Sequence, residues 1–192
     1  MLASKSVSSS RQMFDPTVFE NLKVALENQL YDLDNLDGII RITNRTDRME
    51  MSVMAREFAL QFELIHGGEI KAEIRLMASL QDLAAEILEM KDQSPGCKLV
   101  IRFDMEVVPS QVGQGLSKPL QCDKIEKIMK QHWPDLTLVQ TVSCMYGKEP
   151  VQCNITAELT FNRKINEDQM DDIPELIEHV VDTLRTLEEC FK

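Results

Sequence analysis

Residues 70–76 read IKAEIRL and residues 155–161 read ITAELTF. In both, apolar residues take every second position: Ile70, Ala72, Ile74 and Leu76, then Ile155, Ala157, Leu159 and Phe161. Strand side chains alternate between faces, so each stretch predicts a half-buried strand with one face on a core. Each is preceded by another alternating run and a turn. Phe58, Leu60, Phe62 and Leu64 lead into His66-Gly67-Gly68, while LTLVQTVSCMYG leads to the second stretch across Gly147–Pro150. Glycine-containing turns between alternating runs predict two hairpins. Each stretch is also followed by helical spacing. Leu80, Leu83, Ala84, Ile87 and Leu88 follow the first. Ile173, Leu176, Ile177, Val180, Val181, Leu184 and Leu187 follow the second, after an inserted NRKINEDQ.

Working outward, Val18, Leu22, Leu26 and Leu30 mark a first helix, with Asp15 as its cap and Pro16 in its first position. Asp37-Gly38 ends it, and GIIRIT follows as a strand. Residues 47–57 mix two periods: Met49, Met51 and Val53 alternate on odd positions, whereas Phe58 onward alternates on even ones. A bulge or short helical turn near 52–56 reconciles them. KDQSPGC at 91–97 is the candidate internal boundary. Beyond it, Leu99, Ile101, Phe103, Met105 and Val107 face one way, with Lys98, Arg102, Asp104 and Glu106 on the other face. A helix bearing Ile125, Ile128, Met129 and Trp133 comes next, stopped by Pro134.

The expected fold is α+β: mostly antiparallel sheet, in one piece or two, with flanking helices and two related halves. Residues 1–12 are a Ser-rich lead-in, 13–92 the first half and 97–192 the second, within one compact unit. Whether the halves share one sheet stays open at this point.

The chain has 192 residues and a net charge of −11. A field of that sign repels polyanions, and no basic cluster offsets it, so nucleic acid is not expected as a partner. No apolar run reaches membrane-spanning length. The five cysteines, Cys97, Cys122, Cys144, Cys153 and Cys190, include no CxxC pair, and the N-terminus lacks a secretory h-region. These features predict free thiols in a cytoplasmic setting. Cys144 and Cys153 flank the second hairpin turn and could lie opposite each other, where a disulfide or redox switch would form. Their default role is as small buried hydrophobes.

Among candidate sites, the strand-to-helix loop VVPSQVGQGLSK carries Gly113, Gly115, Ser117 and Lys118. Backbone N–H groups there could hold an anion. It matches neither the P-loop nor the dinucleotide fingerprint, and a plain connection is the bland alternative. Glu175 and His179 share a helix face as metal ligands can, but no second ligand pair accompanies them, so no metal is assigned. Asp171, Asp172 and Glu175 form an acidic patch before the last helix. It serves either the helix dipole or a basic partner. No cofactor motif is present. The expectation is a non-catalytic binding or regulatory protein that works through protein–protein contacts or self-association as a homodimer. The alternative is a ligand sensor, or an enzyme acting on a phosphorylated molecule, through loop 109–118.

Overall fold

The computed structural model describes residues 18–88, 95–107, 120–145 and 153–191. The 1–12 lead-in, the Asp15–Pro16 helix start and most of the 91–97 boundary lie outside them. The chain runs α1 (Val18–Asn35), β1 (Ile40–Glu50), β2 (Ala55–Leu64), β3 (Ile70–Ala78), α2 (Leu80–Ile87), β4 (Lys98–Val107), α3 (Leu120–His132), β5 (Thr137–Cys144), β6 (Cys153–Thr160) and α4 (Ile173–Phe191). A short 3-10 turn, Glu167–Asp172, leads into α4.

All six strands form one antiparallel sheet in the order β1-β2-β3-β4-β6-β5. The fold is therefore α+β, and both halves of the chain contribute to a single sheet. The two look-alike stretches are β3 and β6, and they flank β4. Ile70 and Ile155 both oppose Met105, Ala72 and Ala157 both oppose Phe103, and Ile74 and Leu159 both oppose Ile101. Small alanines on either side of Phe103 make room for its ring. The two stretches thus occupy matching rungs on either side of β4. The strand orders of the halves differ, since β1 lies beside β2 whereas β4 lies beside β6.

One face of the sheet carries the core. Phe58, Leu60, Phe62, Ile74, Leu99, Ile101, Phe103, Ile155 and Leu159 meet Leu22, Leu26 and Leu30 of α1, Ile125 and Met129 of α3, and Ile177, Val180, Leu184 and Leu187 of α4. Each fully buried side chain of this kind contributes about 1.5–3 kcal/mol. A surface ion pair contributes about 0–1 kcal/mol. Stability therefore resides on the helical face.

The parity shift in 47–57 has two physical sources. Residues 51–54 form the β1–β2 hairpin turn, with Met54 at φ 52°. A bulge at Thr43 interrupts the register between Ile42 and Asn44. Before the bulge, Ile40 and Ile42 face the helices. After it, Arg45 and Asp47 take that face, opposite Leu60 and Phe58.

The β2–β3 turn is clamped from the far end of the chain. Glu188 of α4, 5% exposed, accepts hydrogen bonds from the backbone N–H of Gly68 and Ile70, both at 3.1 Å. A Cβ on Gly67 would lie 2.8 Å from the Glu188 carboxyl carbon, so glycine is what lets the turn close on it.

Candidate functional site

Gly113, Gly115, Ser117 and Lys118 lie outside the described residues. Asp171 and Asp172 end the 3-10 turn, and Glu175 sits in the first turn of α4. All three are exposed. Carboxylates at that end of a helix are favoured by the dipole.

The structure joins two histidines that are far apart in sequence. His132, at the end of α3, and His179, on α4, have ring centroids 5.5 Å apart. His179 Nε2 lies 2.8 Å from the His132 carbonyl oxygen, and Trp133 stands edge-on to the His179 ring at 4.2 Å. The indole N–H donates to Thr183 Oγ1 at 3.0 Å. Burial, and then the neighbouring His179, hold His132 below its ordinary pKa, with Asp182 acting the other way. His179 is thus a partly buried packing residue. Only the tertiary fold makes this corner, so no local spacing announced it. Among the described residues no group of three or more His, Cys, Asp or Glu side chains could hold a metal. No described helix is long and apolar enough to cross a membrane.

The sheet face away from the helices is paved with charge. Arg41 pairs with Glu63, Arg75 with Glu73 and Glu57, and Arg102 with Glu158, while Thr156 donates to Asp104 at 2.5 Å. Neighbouring charges on this face pair within the chain, and Glu63 and Glu73 are themselves buried among these pairs.

The two edge strands differ far more. β1 carries Arg41, Arg45, Asp47, Arg48 and Glu50 within eleven residues, plus the Thr43 bulge. Arg45 pairs with Glu27 of α1 at 2.6 Å and lies over the Phe58 ring, and Asp47 pairs with Lys23 at 3.0 Å. The Ile42 N–H is taken by Asp34 of α1 at 3.3 Å. Burial pushes the Asp47 carboxyl up, but hydrogen bonds and charge from Lys23 and Arg45 outweigh it and hold the group below its ordinary 3.8.

β5, TLVQTVSC, has no charged residue in its eight positions and pairs with β6 in unbroken register. Val139 is 53% exposed, Val142 40% and the following Met145 57%. Among the described residues, no strand pairs with its outer side. A strand edge offers a row of backbone donors and acceptors, which proteins usually blunt with charge, bulges or a covering element. β1 has all three devices; among the described residues β5 shows none. On the helical side, β5 borders a cleft of about 280 Å³ lined by Met129, Trp133, Leu136, Leu138 and Gln140, with Glu126 and Lys130 at hand.

Two cysteines expected to be free are bonded. The β5–β6 register sets Cys144 opposite Cys153, and they form a disulfide closing the hairpin at the end of the edge. Cys97 and Cys122 are buried, whereas Cys190 is exposed. Burial pushes the Cys97 thiol up to about 12, so it stays protonated and inert.

No protein-family model, curated protein or solved structure matches this chain.

Proposed function

We propose that this chain is a non-catalytic protein-binding module whose binding element is the free edge of β5. The observation that supports it is the contrast between the edges: β1 is guarded and β5 is not. An extended segment laid along β5 would take its outward backbone groups as a seventh strand. Main-chain hydrogen bonds would give affinity, and Val139, Val142 and the cleft beside α3 would give side-chain preference. The setting bears on the Cys144–Cys153 bond. A cytoplasm, as expected from the sequence, keeps such pairs reduced, while an oxidising compartment keeps them closed.

Hydrogen exchange with a strand probe tests this reading. A synthetic peptide of residues 136–145, with serine for Cys144, should slow amide exchange in β5 and leave β1 unchanged. Equal protection of both edges, or of neither, would sink it.

A further inference from the structure

We infer that the Cys144–Cys153 bond is a reversible redox switch on the β5 edge. Closed, it holds the far end of the strand in place to receive an extended segment. Opened by a dithiol, it lets that end come away from β6. The inference rests on the proposed role of the β5 edge and names its regulation.

The far end of β5 has little else to hold it. Burial alternates along the strand only as far as Gln140, and the four residues from Thr141 to Cys144 are all exposed. α3 reaches β5 at Gln140, whose Nε2 donates to the Cys122 carbonyl oxygen at 3.1 Å. Beyond that contact the helical side is open. The register sets Val142 opposite buried Ile155, yet Val142 is 40% exposed. Among the described residues no strand pairs with the outer side, so residues 141–144 are held by β6, with the disulfide as the covalent tie. A two-stranded ladder that buries little on either face is marginal in water and opens locally. The main core lies elsewhere, under α1 and α4, and does not depend on this end.

The bond is also placed where a reagent reaches it. Cys144 is exposed, whereas Cys153 is 6% exposed, so a thiolate of an external dithiol attacks Cys144 Sγ. The S–S bond between the cysteines breaks, and Cys153 leaves as a thiolate that takes up a proton. Cys144 is left in a mixed disulfide. The second thiol of the reagent then displaces Cys144, which takes up the second proton, and the reagent ends as its own disulfide. Two electrons pass from the dithiol to the cysteine pair, and a disulfide oxidant reverses both steps. Cys97 and Cys122 are buried and offer no competing thiol. Closing a ring between residues nine apart removes the entropy of the loose end, which favours the paired form by about a hundredfold. With the bond open, a receiving edge of 137–144 shortens to 137–140. An extended segment laid along it then loses about half of its main-chain hydrogen bonds.

Hydrogen exchange of the full chain carrying Cys190→Ser, which removes the exposed thiol, tests the switch. Dithiothreitol should open the bond in the folded chain, as read by thiol titration. Amides at 141–144 should then exchange about a hundredfold faster, while those of β1 and β3 keep their protection. Glutathione disulfide should restore the slow exchange. Cys144→Ser/Cys153→Ser should exchange fast with or without reductant. The strand probe of residues 136–145 should bind the reduced chain about tenfold more weakly than the oxidised one. A bond that resists dithiothreitol until the chain unfolds is a static staple and overturns the inference. Unchanged amides at 141–144, acceleration spread evenly over the sheet, or a probe bound equally by both forms overturns it too. A probe that protects β5 in neither form sinks the binding role. Reversible exchange at 141–144 would then still establish the switch in the strand, and its absence would sink both.

Discussion

β1 and β5 close the two ends of one sheet, and among the described residues each is paired on one side only. The first has bent, charged and roofed its outer side. Thr43 bulges, Arg45 and Asp47 tie to α1, and Asp34 occupies an edge amide. The second runs straight and neutral for its whole length. An edge defended at one end and bare at the other shows that bareness is not a general property of this fold. Here the defence also costs core surface: two exposed β1 positions, Arg45 and Asp47, carry charge on the helical face, opposite Leu60 and Phe58 of β2. The difference between the ends is therefore open to test by making one resemble the other.

The largest effect should come from stripping the guard. Arg45→Val/Asp47→Val removes the two β1 charges tied to α1 and leaves Arg41, Arg48 and Glu50, so the guard is weakened and edge association should increase. Light scattering is expected to show growing assemblies, and a species that stays the size of the wild type would break the comparison. Next in size is the covalent closure of the bare side. Cys144→Ser/Cys153→Ser frees the hairpin between residues nine apart and should cost about 2–3 kcal/mol in urea denaturation under non-reducing conditions. The same loss should follow from reductant in the wild type, and none in the variant.

Acid should act on the two ends in sequence. His132, beside β5, is held below its ordinary 6.5 in the folded chain. The unfolded chain takes up that proton first, so stability should decline as pH falls below about 6.5 and level off under the folded value. Asp47, on β1, is depressed from 3.8, so its contribution is present above that pH and is lost as pH falls through the lower folded value. His132→Gln should flatten the upper step and Asp47→Asn the lower one, in denaturation series at stepped pH. A profile that neither variant changes would remove the electrostatic distinction between the ends. The smallest effect is expected from Asp34→Ala, which removes the acceptor for the Ile42 N–H. It should cost about 0.5–1.5 kcal/mol and leave the oligomeric state unchanged.

Much of the fold was legible in the chain because strands and helices bury one face each. Alternation at Phe58–Leu64, Ile70–Leu76 and Leu99–Val107 marked three neighbouring strands, and Ile173–Leu187 marked the long helix that roofs them. The order of strands was not legible. Nothing local says that β6, and not β5, lies against β4, and the likeness of IKAEIRL to ITAELTF suggested a repeat where the sheet shows matching rungs. The parity change read near 52–56 falls at the hairpin turn of residues 51–54, whereas the separate bulge at Thr43 left no mark in the reading of GIIRIT. The bare edge was present in the sequence as an uncharged run, TLVQTVSC. Its meaning required knowing which strands end the sheet. The His132–His179 contact spans 47 residues and left no local trace.

Trp133 is the chain's single tryptophan. Its ring lies between Phe161, at 6.3 Å, and His179, and its N–H is tied to α4. All of the protein's indole emission therefore comes from one corner, where α3, α4 and the start of β5 converge. Protonation of the nearby His132, closure of a strand onto the edge and loosening of α3 each change the surroundings of that one ring. The molecule thus carries its own optical probe at the end where it departs from the usual protection of a sheet, and is dark at the end where it obeys it.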